Sequence, residues 1–215
     1  MGVLRIGHGG ASAVVRGNTL ESFDAALDIG VDMIEFDVRT HRGRLLVAHT
    51  KLHGAFFECP TLDHALDHLS SRRFSDVALN LDLKDAGCVD TTLDALERFG
   101  LKDRALLSSQ CVAVVDRVRE LDASVPTAIS VGGWVSRTVQ RWGSWRDRVL
   151  DALHRRRFDT LMAYHRLVDR GLVEASEERG AGVYAWTVDD PGRIESLTDL
   201  GVRGITTNDP RLFGS

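Results

Sequence analysis

The stretch Met33-Ile34-Glu35-Phe36-Asp37-Val38-Arg39 alternates apolar and charged side chains, as does a β-strand with two different faces. Helix-patterned segments flank it, so we expect the strand to lie in a parallel sheet that is covered on both faces. Its acidic face then points inward. Two enclosed carboxylates repel each other and lose hydration, and a bound cation relieves both costs. The alternation therefore predicts that Glu35 and Asp37 are metal ligands rather than a solvated pair at the rim.

Runs with β-type patterning alternate with helical patterns along the whole chain. One extra run, at 45–48, follows the acidic strand after a turn at Arg42-Gly43, and the others form eight strands separated by helices. This order predicts the α/β class and a (β/α)8 TIM barrel, as a single domain over residues 1–215. The strands are predicted at 3–7, 33–39, 77–84, 105–108, 127–131, 160–163, 183–188 and 204–206, and the helices at 19–30, 61–69, 89–99, 113–121, 142–156, 168–179 and 191–200.

A doubly wound open sheet is the alternative fold, since it also alternates strands and helices. It fits less well, because it gives no reason for polar groups to gather at the ends of the first, second, third and seventh strands together. Local signals mark several helix ends in either fold. Asn18 or Thr19 can cap the first helix and Gly30 can end it, while Thr61 can cap the second.

Composition limits the classes of protein that fit. The chain has 215 residues, 43% hydrophobic and 27% charged, and no linker-like stretch divides it. A formal charge of -4 argues against a general nucleic-acid binder. An odd number of cysteines without metal-type spacing favours reduced thiols. With the first strand-like run starting at Val3 and no apolar run of bilayer-spanning length, we expect a cytoplasmic protein without a transmembrane segment. Its oligomeric state is left open.

Residues at the carboxyl ends of the strands should converge on one site in such a barrel. Three carboxylates suit a hard divalent cation such as Mg²⁺ or Ca²⁺, which would be the one cofactor. Two histidines on separate loops can serve as acid and base across one reacting centre. The expected site consists of His8, Glu35, Asp37, His49, Asp82, Lys84 and Trp186.

Two residues of this expected site, and Arg39 beside it, can have more than one role. Lys84 can bind an anionic substrate oxygen or only neutralise Asp82. Trp186 can form an apolar wall for the organic part of a substrate or belong to the core. Arg39 shares the acidic face of its strand, where we expect a supporting ion pair. A cation and a lysine together stabilise negative charge that grows at phosphorus, so the indicated reaction is phosphodiester cleavage.

Several segments resemble the glycerophosphodiester phosphodiesterase family, within the phosphatidylinositol phosphodiesterase-like barrel superfamily. The resemblance spans nearly the whole chain. It implies a TIM barrel, a divalent cation held by Glu35, Asp37 and Asp82, His8 and His49 as acid and base, and substrate contacts from Lys84, Trp186 and Asn18. A small-molecule or lipid-derived phosphodiester would be the substrate. The matching segments are Ile6-Gly7-His8-Gly9-Gly10-Ala11, Asn18-Thr19-Leu20-Glu21-Ser22-Phe23, Gly30-Val31-Asp32-Met33-Ile34-Glu35-Phe36-Asp37-Val38, Asn80-Leu81-Asp82-Leu83-Lys84, Tyr184-Ala185-Trp186-Thr187-Val188 and Gly204-Ile205-Thr206-Thr207-Asn208-Asp209-Pro210.

The chain departs from the family pattern at informative places. Gly9 stands where the family usually has Arg, and Gly17 where it has Glu, so a cation and an anion are missing together. This fits the loss of a mutually supporting pair, and Arg16 is a less favoured replacement for the lost positive charge. Asp82 stands where the family mostly has Glu. The insertion after the second histidine is short, and its residues 54–57 either cover the mouth of the site or are loop packing.

These departures leave the product open. The missing arginine and the aspartate as third ligand also occur in a sister group that looks like sphingomyelinase D, whose members release a cyclic phosphate. The leading hypothesis is a metal-dependent hydrolase that converts a glycerophosphodiester, or a similar small diester, to an alcohol and a phosphomonoester. A phospholipase D-type lyase and a catalytically silent barrel that binds a phosphorylated ligand are the alternatives.

Overall fold

The computed structural model of the chain describes residues 2–50, 58–132 and 139–214. The expectation for residues 54–57 therefore falls outside the described residues. Cys88, which is buried, and Cys111, which is exposed, are free thiols. Among the described residues, every helix is too short or too polar to cross a membrane.

Eight parallel strands form a closed barrel. The first strand pairs with both the second and the last, and this double pairing closes the sheet. The doubly wound open sheet is therefore wrong, and the (β/α)8 barrel is confirmed. A ninth strand pairs antiparallel with the second and lies outside the ring. In chain order the strands are β1 (Leu4–His8), β2 (Met33–His41), β3 (Arg44–Val47), β4 (Ala78–Leu83), β5 (Ala105–Ser109), β6 (Thr127–Val131), β7 (Thr160–Tyr164), β8 (Gly182–Trp186) and β9 (Gly204–Thr207), with β3 as the outer strand.

Helices connect the strands and cover the outside of the barrel. Several begin and end at the residues that the sequence marks. The Thr19 hydroxyl accepts a hydrogen bond from the Ser22 amide at 3.2 Å, and Gly30 ends the same helix in the left-handed region with φ of 93°. Thr61 caps the next helix in the same way. In the described part of the chain the helices are α1 (Leu20–Ile29), α2 (Leu62–Leu69), α3 (Val89–Arg98), α4 (Val112–Leu121), α5 (Val139–His154), α6 (Arg170–Glu177) and α7 (Pro191–Asp199).

The two faces of β2 have the surroundings that its alternation predicts. Ile34, Phe36 and Val38 are fully buried in the layer between sheet and helices, where the Phe36 ring lies 5.3 Å from the Phe23 ring. Apolar burial of this kind is the main contribution to stability, at roughly 25 cal/mol per Å². The opposite face carries Glu35 and Asp37 into the barrel. Because Ile34, Phe36 and Val38 pack against the helices, the alternating acids Glu35 and Asp37 must point into the barrel.

The register of the parallel strands places residues side by side at the mouth of the barrel. His8 at the end of β1 is the partner of Glu35 on β2, and Asp37 is the partner of Asp82 on β4. Neighbouring parallel strands lie about 4.8 Å apart, so these pairs are within reach of one small ion or one substrate group. The fold therefore assembles the acids and the first histidine by backbone pairing alone.

Candidate active site

Three carboxylates meet at the carboxyl ends of β2 and β4. Each of Glu35, Asp37 and Asp82 offers one oxygen, and these oxygens all lie within 4.8 Å of one another. Glu35 and Asp37 are 5% and 1% exposed, so water hydrates them poorly. The structure thus brings together the three acids that the sequence predicts as metal ligands.

Lys84 lies between two of the acids. Its ammonium nitrogen is 2.6 Å from Asp37 Oδ1 and also contacts Asp82. One ammonium against three carboxylates leaves two negative charges if all three are ionised, which matches the charge of a divalent cation. A buried Asp82 oxygen, Oδ1, has no hydrogen-bond partner within the described residues. An all-oxygen set with an unpaired buried oxygen fits a hard cation such as Mg²⁺ or Ca²⁺.

The acids respond differently to their shared burial. Burial raises the pKa of Glu35 to about 7, aided by the negative charges of Asp37 and Asp82. Burial also raises the pKa of Asp82, against the opposing charge of Lys84. For Asp37 burial acts in the same direction, but the hydrogen bond from His49 and the charge of Lys84 outweigh it and hold the pKa well below its usual range. Asp37 is therefore the most firmly ionised of the three.

Asn18 and His49 hold Asp37 in place. The Asn18 side-chain amide donates to Asp37 Oδ2 at 2.8 Å, and its oxygen accepts from the Asp37 amide at 3.0 Å. His49 Nδ1 lies 3.2 Å from the same Oδ2, and its side chain is 56% exposed. The sequence predicts that Asn18 contacts substrate. In the structure both polar atoms of its side-chain amide, Nδ2 and Oδ1, bind Asp37, a candidate metal ligand. Such partners orient a ligand before the ion binds.

His8 lies on the other side of the acids. Its Nε2 is 3.8 Å from Glu35 Oε2, and its Nδ1 is 2.6 Å from Asn208 Oδ1. Burial lowers the pKa of His8, and the charge of Glu35 together with the Asn208 hydrogen bond outweighs burial and raises it. The two histidines thus lie beside different acids, His8 beside Glu35 and His49 beside Asp37.

Arg39 does not pair with the acids of its own strand. Its guanidinium donates to the carbonyl oxygen of His49 at 3.1 Å, and in the described residues no ion pair joins it to Glu35 or Asp37. The expected supporting ion pair is therefore wrong. The reason is that β2 continues past the rim to pair with β3, where Arg39 is the partner of Leu46. Arg39 supports the loop that carries His49.

Two cavities meet at His8 and His49. The inner cavity, of about 130 Å³, opens over the barrel interior and is lined in part by Lys84 and Trp186. The outer cavity, of about 250 Å³, lies between the β1–α1 loop and the residues around His49. The inner cavity is lined by His8, Glu35, His49, Asp82, Lys84, Ser108, Gln110, Ser130, Met162, Trp186, Thr187 and Thr206. The outer cavity is lined by His8, Gly9, Ser12, Arg16, Gly17, Asn18, Asp37, Val47, Ala48, His49, Cys59 and Asn208.

Trp186 forms one wall of the inner cavity, at the end of β8. Its ring packs edge-on against Tyr164 at 5.8 Å, and its indole nitrogen is buried without a hydrogen-bond partner among the described residues. Of the two alternatives from the sequence, the placement fits a wall beside the site better than the core.

Gly9 and Gly17 lie side by side. A Cβ on Gly9, which has φ of 58°, would lie 3.4 Å from the Gly17 Cα and 3.1 Å from the Asn18 nitrogen. Since both line the outer cavity, the two departures from the family pattern are adjacent in space. This is the placement that loss of a mutually supporting pair predicts. The Gly9 amide also donates to Glu35 at 3.1 Å, which holds that acid against the loop.

Sequence reasoning missed Asn208 and Asp189 as residues of the site. Asn208 follows β9, and Asp189 accepts hydrogen bonds from both its backbone amide, at 2.8 Å, and its side-chain amide, at 2.6 Å. Ser12 also donates to Asn208 Oδ1 at 2.8 Å. The signal for Asn208 was available, because closure of a barrel makes the first and last strands neighbours. No comparable signal marks Asp189.

The fold and the site agree with a known class of protein. The model of the glycerophosphoryl diester phosphodiesterase family matches residues 8–68 and 63–212. The chain belongs to this family, and it is a phosphoric diester hydrolase.

Known relatives cover nearly the whole chain. A glycerophosphodiester phosphodiesterase of Caldanaerobacter subterraneus subsp. tengcongensis is 23% identical over 98% of this chain and 96% of its own. The crystal structure of the glycerophosphodiester phosphodiesterase from Thermotoga maritima superposes with a TM-score of 0.80 at 20% identity, covering 99% of this chain and 97% of that one. An Oleispira antarctica phosphodiesterase, solved with the product sn-glycerol-3-phosphate, superposes with a TM-score of 0.77 at 18% identity over 96% and 93% of the two chains.

Proposed function

We propose that the protein is a divalent-cation-dependent glycerophosphodiester phosphodiesterase, which hydrolyses a glycerophosphodiester to an alcohol and a phosphomonoester. The observation that carries the proposal is the cluster of Glu35, Asp37 and Asp82, whose oxygens lie within 4.8 Å of one another, with His8 beside Glu35 and His49 beside Asp37. A phosphate group over this cluster would have an imidazole on either side.

The cation would be Mg²⁺ or Ca²⁺, held by the three carboxylates. When bound, it would offset the negative charge that grows on the phosphoryl oxygens during displacement. Lys84 supplies a second positive charge at the same place, since its ammonium contacts both Asp37 and Asp82 and lines the inner cavity. Trp186 would pack against the organic part of the substrate. Asn18 would act mainly by orienting Asp37, from a position that also lines the outer cavity.

His8 and His49 would transfer the protons. In each ring Nδ1 is engaged by an oxygen, Asn208 Oδ1 for His8 and Asp37 Oδ2 for His49, which leaves Nε2 to exchange a proton. One histidine would take the proton of the substrate hydroxyl next to the phosphate while that oxygen bonds to phosphorus. The other would give a proton to the leaving alcohol as its oxygen–phosphorus bond breaks. Water would then open the cyclic ester with the roles reversed, which yields the phosphomonoester.

A glycerol group as one alcohol of the substrate is supported by a relative. The Oleispira antarctica phosphodiesterase, which has the same fold, was solved with sn-glycerol-3-phosphate as its product. For this chain the hydroxyl-rich inner cavity, with Ser108, Ser130 and Thr206, suits such a group.

Turnover of a glycerophosphodiester with and without EDTA tests the proposal. We expect EDTA to abolish activity and Mg²⁺ or Ca²⁺ to restore it, and we expect His8→Ala and His49→Ala to lower kcat by at least about 100-fold, the lower range for loss of a general acid or base. His64→Ala, at an exposed position on α2, is the matched control and should keep full activity. Activity that is indifferent to chelator and to both active-site substitutions would overturn the proposal.

The product separates hydrolysis from cyclic-phosphate release. ³¹P NMR of a completed reaction should show a phosphomonoester as the final species. A cyclic ester that persists would instead identify the chain as a lyase of the phospholipase D type.

A further inference from the structure

The outer cavity has room for a second substrate group. It meets the inner cavity at His8 and His49, the two residues between which the phosphate is expected to lie. A phosphodiester has two alcohol arms on one phosphorus, so a phosphate at this junction would extend one arm into each cavity. With glycerol in the inner cavity, the outer and larger cavity is left for the second alcohol.

Gly9 and Gly17 belong to the wall of the outer cavity and are packed tightly against their neighbours. A Cβ on Gly17 would lie 2.7 Å from the Ser12 Cβ, and a Cβ on Gly9 would lie 3.1 Å from the Asn18 nitrogen. Ser12 and Asn18 themselves line the cavity, so a side chain at either glycine would displace its wall. A side chain at either glycine would therefore alter the shape of the outer cavity.

The charges around the outer cavity disfavour a cationic group. Arg16 is a permanent cation in its lining, and the guanidinium donates to the Glu58 carbonyl oxygen at 2.8 Å, which holds it near the opening. Asp37 is the single carboxylate among the described lining residues. It is already engaged by Lys84 and by the Asn18 amide. Within the described lining, a quaternary or primary ammonium would meet repulsion from Arg16 and no carboxylate that is not already hydrogen-bonded.

The remaining polar groups suit hydroxyls. Ser12 can donate or accept, Asn208 presents an amide, and Arg16 carries five N–H donors on one guanidinium. Val47 and Ala48 supply an apolar wall on the other side. A polyol ring or chain has both the hydroxyls and the carbon surface to use such a lining.

We infer that the outer cavity binds the second alcohol of the substrate, and that the chain prefers glycerophosphodiesters whose second alcohol is an uncharged polyol over those with a cationic amino alcohol. The inference rests on the proposed function. It assigns to Arg16 the choice between substrates, a role distinct from the chemistry at phosphorus.

Kinetics with three diesters test it: glycerophosphoinositol for a polyol arm, glycerophosphocholine for a cationic arm, and the methyl ester of glycerol phosphate for a minimal arm. We expect kcat/KM for the inositol diester to exceed that for the choline diester by about tenfold or more, the effect of one well-placed charge. Arg16→Gln should shrink this ratio several-fold. Arg72→Gln, an exposed arginine ahead of β4, is the matched control and should leave it unchanged.

A second variant tests the size of the cavity independently of its charge. Ala48→Leu should lower kcat/KM for the inositol diester while sparing the methyl ester, provided that its melting temperature stays near that of the wild type. If Ala48→Leu fails to fold, the test rests on Arg16→Gln alone. Arg16 is exposed, so its substitution should leave the fold intact. Equal or better turnover of the choline diester, or a ratio that Arg16→Gln does not change, would overturn this inference and leave the proposed function standing. No turnover of any diester would overturn both.

Discussion

Asn208 Oδ1 lies 2.6 Å from Nδ1 of His8, although the two residues are 200 positions apart in the chain. The contact exists because β1 and β9 pair in parallel, so the residues that follow them emerge together at the mouth of the barrel. Asp189 accepts from the Asn208 side-chain amide, which turns the amide oxygen toward His8. An oxygen at that place fixes the imidazole with its proton on Nδ1, and Nε2 then faces the acids.

Replacing Asn208 with Ala should lower kcat with little change in KM for the methyl ester of glycerol phosphate, because it removes the group that orients His8 and this small alcohol does not depend on the Asn208 amide in the outer cavity. We expect a loss of about 10- to 100-fold, the usual cost of removing a group that orients a functional side chain. Steady-state kinetics on the methyl ester of glycerol phosphate measure it.

The control for this variant is Asp199→Asn, at the end of α7. A loss of stability in Asn208→Ala that accounts for all of the lost activity would contradict the orienting role. So would a rise in KM at constant kcat.

Local patterns predict much of the fold and of the acid cluster. The alternation in β2 depends only on which side chains avoid water, so Glu35, Phe36 and Asp37 point where the sequence predicts. Helix caps are equally local, and Thr19, Gly30 and Thr61 act as their types predict. These features need no knowledge of distant parts of the chain.

Other residues of the site depend on distant pairing or on loop geometry. Asp189 and Asp190 are adjacent acids after β8. Pro191 marks Asp190 as the helix cap, but no local pattern indicates what Asp189 contacts. Asp190 caps α7 by accepting from the Arg193 amide at 2.8 Å, whereas Asp189 holds Asn208. Arg39 was misplaced for a similar reason, since the extension of β2 beyond the ring is a consequence of its pairing with β3.

Asn18→Ala should weaken the binding of Mg²⁺ or Ca²⁺ by about 10- to 100-fold, the range found when a group that orients a metal ligand is removed. The physical reason is that Asn18 makes two hydrogen bonds to Asp37, one to the carboxylate and one from the backbone amide. Titration calorimetry with the metal alone measures the effect.

Asn18→Asp is the informative companion, because it keeps the acceptor for the Asp37 amide but faces the Asp37 carboxylate with a like charge. It should bind metal no better than Asn18→Ala. Unchanged metal affinity in Asn18→Ala together with a raised KM would return Asn18 to the direct substrate role that the sequence predicts.

Thr61→Ala should lower the free energy of unfolding by about 1 kcal/mol, the typical cost of losing a helix cap. The Thr61 hydroxyl accepts from the His64 amide at 3.2 Å at the start of α2, and alanine leaves that amide without its partner. Urea denaturation followed by circular dichroism measures the change.

The matched control is Ser71→Ala. Ser71 occupies the same position before the short 3₁₀ helix Arg72–Phe74 but makes no capping hydrogen bond. It should change stability little, and equal losses in the two variants would count against the cap.

Asp32→Asn should destabilise the protein near neutral pH, with a difference from the wild type that shrinks in acid. Arg5 donates to Asp32 from its backbone amide and from two guanidinium nitrogens, at 2.8 to 3.0 Å. The side-chain hydrogen bond from Arg5 lowers the pKa of Asp32, and burial only partly opposes it. A carboxyl whose pKa is lower in the folded state stabilises the fold fully above the unfolded pKa, near 3.9, and loses that contribution as pH falls through the folded pKa. Because both side chains are more than a third exposed, we expect roughly 1 kcal/mol at pH 7.

Urea denaturation of wild type and Asp32→Asn at several values between pH 7 and about pH 3 measures this difference, over the window in which an aspartate of lowered pKa titrates. The difference in free energy of unfolding between the two proteins should be constant near pH 7. It should begin to shrink below about pH 4, where the unfolded carboxyl binds protons more readily than the folded one. Asp67→Asn, at an exposed position on α2, is the matched control and should change stability little. A gap that stays the same down to the acid limit would mean that Asp32 contributes by its shape and neutral hydrogen bonds rather than by its charge.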